Sequence, residues 1–221
     1  MSRSELAVDA QPVSQKRRQQ IVEAAVSRFS EKGYFQTTID DIASASGISK
    51  GLVYRYFKDK NALLFYALYV VLEKYDKAYF SELVQRVNPL LALVTIQRAL
   101  CAMAEEHGAE IALAYRSTKD LLAPERREIK VSEAQIIRLI RQCLDGAVHN
   151  AWMRPINTDI LSYQYLMYAH TWALKNWFYR DRYSPEEYAS EGQALLIEAF
   201  LTEEGNKVLL DMHKFTAERT S

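Results

Sequence analysis

Between Gln15 and Lys32 the apolar residues Ile21, Val22, Ala25, Val26 and Phe29 recur at steps of three and four, with charged and polar residues between them. That spacing predicts an amphipathic helix, and Gly33 supplies its stop. Thr38 suits the N-cap of a second, short helix: Asp41 stands three residues on in the capping-box position, and Ile39, Ile42 and Ala43 share the inward face. This helix is expected to end at Gly47. Ser49 then caps a third helix in which Val53 and Phe57, four apart, face the core, leaving Lys50, Gly51, Tyr54 and Arg55 outside. Asp59 caps a fourth. From Lys60 to about Arg86 no Gly or Pro occurs, and Leu63, Leu64, Ala67, Val70 and Val71 keep helical spacing, which predicts one long rod.

Farther along, Pro89, Gly108, Pro124, the stretch Met153 to Asn157 and Ser184-Pro185 divide the chain into helical blocks near 90–107, 110–121, 125–149, 157–180 and 185–203. Strand-like alternation competes nowhere. Residues 1–13 are polar and aperiodic and read as a mobile arm, with order from Ser14. The expected fold is therefore all-α with about nine helices. A three-helix helix-turn-helix head over 14–59 precedes a larger helical domain over 60–204, and 205–221 forms a polar tail or a short final helix.

The 221 residues include only 7 Gly and 5 Pro, which favours long helices. A net charge of zero argues at first against a nucleic-acid partner, but the sum hides an asymmetry. Residues 1–60 carry ten Lys and Arg against seven Asp and Glu, whereas residues 61–221 carry eighteen against twenty-one. A basic head on an acidic body fits a protein that meets phosphates at one end. No apolar run is long enough to span a bilayer and the start lacks a secretory block, so a cytoplasmic protein without membrane contact is expected. Cys101 and Cys143 have neither disulfide nor zinc spacing and read as buried small residues or as a redox-sensing pair. The four histidines, at 107, 149, 170 and 213, form no i, i+4 pair, so no metal site is expected. With no phosphate-cradling Gly loop and no nucleophile beside a base, neither enzymatic activity nor a cofactor is expected.

Two short helices joined by a tight turn and braced by a third make the three-helix form of the helix-turn-helix, whose second short helix fits the major groove. The stretch TTIDDIASASGISKGLVYRYFKDKNALL, Thr37 to Leu64, resembles the DNA-binding domain of the tetracycline-repressor (TetR) family, in register over residues 15–65. Lys50, in the first turn of the reading helix, can reach guanine acceptors, with a phosphate contact as the rival role. Gly51, two residues after the capping Ser49, lets backbone approach DNA closely or is simply a helix-start glycine. Thr37 can offer its hydroxyl and N–H to a phosphate or share capping with Thr38. The resemblance implies that Tyr54 and Tyr56 pack on the sugar-phosphate backbone, Tyr56 standing where many members carry His. Leu52 and Arg55 flank them and tune sequence choice. Lys60 is expected at a phosphate, and Lys16, Arg17 and Arg18 at the backbone or in solvent.

In the body, eight aromatic residues lie between Tyr163 and Tyr183. Leu161, Tyr165, Tyr168 and Trp172 form one stripe, and Tyr163, Met167, Leu174 and Phe178 another, so this helix must be covered on two sides. The resemblance implies a homodimer that reads a palindromic double-stranded operator and pairs through the last two long helices, giving Leu161, Tyr165, Tyr188, Gly192, Leu195, Leu196 and Ala199 as candidate seam residues. It also implies a small-molecule effector cavity, for which Met103, His107, Tyr115, Arg116, Ile136, Ile140, Trp152, Tyr168 and Trp172 are candidates, with a hydrophobic or aromatic effector that releases DNA. Arg116, Lys119, Arg126, Arg127 and Lys130 can recognise an acid or CoA-like phosphate, or form a solvated face. Three functions follow in order: an effector-released repressor; an effector-independent regulator or an activator with the same head; and a helical enzyme or small-molecule carrier.

Overall fold

A computed structural model describes residues 12–75 and 77–218. The described chain is helical: α1 (Pro12–Lys32), α2 (Ile39–Ser46), α3 (Lys50–Tyr56), α4 (Lys60–Lys74), α5 (Lys77–Arg86), α6 (Pro89–Glu106), α7 (Gly108–Ser117), α8 (Ala123–His149), α9 (Thr158–Leu174), α10 (Asn176–Tyr179), α11 (Pro185–Leu196) and α12 (Glu203–Glu218). Among the described residues the one β pairing is an isolated bridge between Met153 and Leu201. The all-α expectation holds, with twelve α-helices among the described residues where about nine are expected, because some blocks divide. The block expected over 157–180 breaks at Lys175, and that over 185–203 ends in a 3-10 turn at Glu198–Phe200. The expected arm lies outside the described residues as far as position 11, and α1 begins at Pro12. Proline suits a first helical position, where its missing N–H would have no partner anyway.

The chain forms two compact units, one of residues 1–74 with 109–130, the other of residues 75–108 with 131–221. They do not divide at residue 60. In the first unit α1 packs on α2 and α4, and Ile21, Phe29, Ile42, Val53, Phe57 and Leu64 form one core with Leu113, Leu121 and Ile129 from the later segment. The reason lies in α4, where Ala62, Leu63, Leu64, Phe65, Ala67 and Leu68 are all buried. A helix apolar nearly all round needs cover on more than one side. Glu125 fastens the later segment, since its Oε2 accepts from the Asn61 side chain at 2.5 Å and from the Leu122 N–H at 3.3 Å.

The expected rod over 60–86 is two helices. α4 ends at Lys74, α5 begins at Lys77, and the unit boundary falls between Lys74 and Tyr75. No Gly or Pro marks the break. Tyr75 is buried in the second unit, where its hydroxyl lies 3.1 Å from His170 Nε2. The two halves of the stretch thus bury into different cores, and one helical phase cannot serve both.

In the second unit α6 packs against both α9 and α11. Tyr168 and Tyr188 stack with ring centres 4.4 Å apart, and each hydroxyl donates to the other residue's carbonyl, at 2.8 and 2.7 Å. A Cβ on Gly192 would stand 2.2 Å from Gln97 Nε2 and 2.4 Å from Tyr168 Cε1, so only glycine permits this approach. Most of the expected seam residues are therefore already in use within the chain: Leu161, Tyr165, Tyr188, Gly192 and Leu196 are buried in the second unit, and only Leu195 and Ala199 are exposed. Of the two stripes on α9, that of Tyr165 and Trp172 faces inward, while in the other Tyr163 is exposed and Met167 and Leu174 are half-buried; Ile160 is exposed as well. The segment left as a tail or short helix is α12, held at its start by Thr202, whose N–H donates to the Trp152 carbonyl at 3.0 Å.

Candidate nucleic-acid interface

Local chemistry shapes the reading surface. The Thr38 hydroxyl oxygen accepts the Asp41 N–H at 3.1 Å, while Asp41 Oδ2 accepts the Thr38 N–H at 2.8 Å, closing the capping box that starts α2. The Asp41 carboxyl is held well below the usual carboxylate range by hydrogen bonds from Lys32 and then from Thr38. Gly47 ends α2 with φ 64°, a left-handed conformation that suits glycine, and Ser49 caps α3 by accepting the Leu52 N–H at 3.3 Å. Gln20 braces the turn from α1, its amide donating to the Ser46 carbonyl at 2.7 Å.

On α3 the division is as expected. Val53 and Phe57 are buried, Leu52 and Tyr56 are half-buried against the core, and Ser49, Lys50, Gly51, Tyr54 and Arg55 are exposed. A Cβ added at Gly51 would meet no atom of the protein within 4 Å. Packing in this chain therefore does not demand glycine there. Lys50 Nζ donates to Asp40 Oδ2 at 2.6 Å, and that bond, with the nearby charge, raises the lysine's pKa. Lys16 and Arg17 are exposed along the first turns of α1, while the Arg18 guanidinium lies 6.0 Å from the Tyr56 ring centre and 5.6 Å from that of Tyr66.

Two residues expected at phosphates are engaged within the chain. The Thr37 side chain is fully buried, its hydroxyl within hydrogen-bond distance of the carbonyls of Arg28 and Gly33 at 3.0 and 2.8 Å, and its N–H donates to Gly33. Neither group is left for a ligand. Lys60 Nζ donates to the carbonyls of Tyr34, Phe35 and Thr37 at 2.9, 3.2 and 2.9 Å, using the three protons an ammonium has. It clamps the loop between α1 and α2. Lys58, two residues past the end of α3, is also exposed.

The effector candidates fall in both units. Tyr115 and Arg116 belong to the first unit and the other seven to the second. Within the second unit Ile136, Ile140, Trp172 and His107 are buried as core, with Met103, Trp152 and Tyr168 half-buried. The cations Arg116, Lys119, Arg126, Arg127 and Lys130 all lie in the first unit, whose sequence segments hold sixteen Lys and Arg against twelve Asp and Glu. Arg126 donates to the Lys119 carbonyl at 3.1 Å. In the second unit, a groove of about 400 Å³ between α6 and α11 is lined by Arg98, Cys101, Ala102, Pro185, Glu186 and Ala189. Burial pushes the Cys101 and Cys143 thiols up to about 12, which disfavours the thiolate at both.

A family profile described as "Bacterial regulatory proteins, tetR family" matches residues 21–67. The chain is similar to the HTH-type transcriptional regulator HbdR of Aromatoleum sp. (strain CIB), 40% identical over 195 residues that cover 88% of this chain and 85% of that protein. It is similar at 26% identity to the HTH-type transcriptional repressor KstR2 of Mycobacterium tuberculosis, over 73% of this chain and 81% of that protein. Among solved structures, AibR in complex with isovaleryl coenzyme A and operator DNA shares the fold with a TM-score of 0.70 at 20% identity, covering 81% of this chain and 97% of that one. Among the described residues no helix is long and apolar enough to cross a membrane.

Proposed function

The chain belongs to the TetR family of transcriptional regulators, and from that premise we propose that it is a repressor which reads a palindromic operator as a homodimer and lets go when a small effector fills its second unit. The observation that carries the DNA reading is α3, a capped helix whose inner face is spent on Val53 and Phe57 while Ser49, Lys50, Gly51, Tyr54 and Arg55 stand in solvent. An α-helix of this kind fits the major groove, where lysine meets guanine acceptors and tyrosine meets the sugar-phosphate edge.

The homodimer is supported by apolar side chains left in solvent, Tyr163 at 44% and its neighbour on α9 Ile160 at 62%, together with Leu195 at 59% on α11. A twin chain covering these residues would bring two heads to half-sites about 34–36 Å apart. The α6–α11 groove, lined by Cys101, Ala102, Pro185 and Ala189 with one cation, Arg98, and one carboxylate, Glu186, suits a small effector with an apolar body. Its action is a population shift, in which the ligand prefers the form that cannot reach two successive grooves.

The test is binding of a labelled duplex from the promoter beside the protein's own gene at two salt concentrations. Lys50→Ala and Tyr54→Ala should each weaken binding about 10- to 100-fold with an unchanged Tm, as expected for loss of a base or backbone contact. If neither substitution weakens it, α3 is not the reading helix.

A further inference from the structure

Asp40 stands at the second position of α2, where its carboxylate accepts from Lys50 Nζ, the first residue of α3, at 2.6 Å. Both side chains are open to solvent, at 52% for the lysine and 64% for the aspartate. Capping does not require Asp40, because Thr38 and Asp41 already close the capping box. An exposed ion pair of this kind adds little to stability. A carboxylate on a surface that meets a polyanion also weakens binding to any phosphate nearby. The charge therefore opposes affinity and contributes little to the fold.

What it does supply is direction. A lysine ammonium is a point charge on a four-carbon stem with three rotatable donors, and left alone it settles against the nearest phosphate. With one donor engaged by Asp40 at 2.6 Å, the ammonium is biased toward that carboxylate and keeps two donors for acceptors on a base edge. We infer that Asp40 is a specificity-determining positioning residue: through Lys50 it lowers affinity for arbitrary DNA and raises discrimination for a guanine-bearing half-site. The inference rests on the reading of α3 as the DNA-recognition helix. It adds to that reading a negative element, repulsion of phosphates wherever the base contact is not made.

The test uses the full-length protein, a duplex selected by wild-type protein from a randomised pool, and a scrambled duplex of equal length. Asp40→Asn should bind the scrambled duplex several-fold more tightly with a steeper salt dependence, and the selected-to-scrambled affinity ratio should fall about tenfold, one base contact's worth. Its Tm should not change, and Asp40→Glu should restore most of the ratio. In a Lys50→Ala background, Asp40→Asn should leave the ratio within about twofold, because the aspartate acts through the lysine. An unchanged ratio in the single variant overturns the inference, as does an equal fall in the Lys50→Ala background or equal weakening on both duplexes with a lowered Tm. Failure of the wild-type protein to enrich any sequence would instead sink the DNA reading itself.

Discussion

The Lys60 ammonium lies 4.6 Å from the centre of the Tyr34 ring while it donates to the carbonyls of Tyr34, Phe35 and Thr37. A cation that could have reached a phosphate instead holds the bend between α1 and α2 in place. Because α2 starts at the end of that bend, the clamp fixes the position of the helix that carries Asp40.

Lys60→Met should therefore behave as a stability variant. Loss of charge-assisted bonds to three carbonyls costs about 2 kcal/mol, which for a chain of this length lowers Tm by roughly 4–8 °C. A phosphate contact would predict a different signature, a salt slope shallower by about 0.9. Titrations of a promoter duplex at several salt concentrations, run below the variant's Tm, distinguish the two: the slope should match wild type, and a drop near one unit would return Lys60 to the DNA.

The two stripes of α9 should separate cleanly by mutation. Tyr163→Glu combined with Leu195→Glu places charge on outward apolar positions and should give folded monomers by size-exclusion chromatography with light scattering. Tyr165→Ala removes a fully buried ring whose hydroxyl donates to the Leu196 carbonyl at 3.3 Å, and should cost about 3–5 kcal/mol in thermal or urea unfolding. A dimer that survives both glutamates would move the seam elsewhere.

His170 gives the second unit an acid-side weakness. Burial lowers its pKa from 6.5 to about 4, so between those values the unfolded chain takes up a proton that the folded chain refuses. Its contribution to stability is fully present above the unfolded pKa and is lost as pH falls from 6.5 toward 4, by roughly 3 kcal/mol in all. Urea midpoints measured across this window should fall in the wild type and fall less in His170→Gln. Parallel curves would show that other groups set the acid limit.

How much of this was legible in the sequence depends on the range of the interaction involved. Thr38, Asp41, Gly47 and Ser49 act on backbone within a few residues, so their spacing alone locates α2 and α3, and the face of α3 follows from period. The lysine at 60 and the threonine at 37 escaped because their partners are backbone carbonyls set by the loop's path, which no pattern of residue types records. On α9 the periodicity reveals two apolar stripes but carries no sign of which one turns inward. The break at Tyr75 lacks Gly or Pro because it reflects a change of core, and the assignment of 109–130 to the first unit is likewise a long-range matter.

That last assignment limits how the molecule can be cut. The chain leaves the first unit after Lys74, returns at Ala109 and leaves again after Lys130. A fragment ending at residue 74 would lack Leu113, Leu121 and Ile129 and would present bare α4 surface to water, a liability for aggregation. Anyone transplanting this reading head onto another protein would have to move two stretches of sequence together, and natural recombination at a single crossover point would meet the same obstacle.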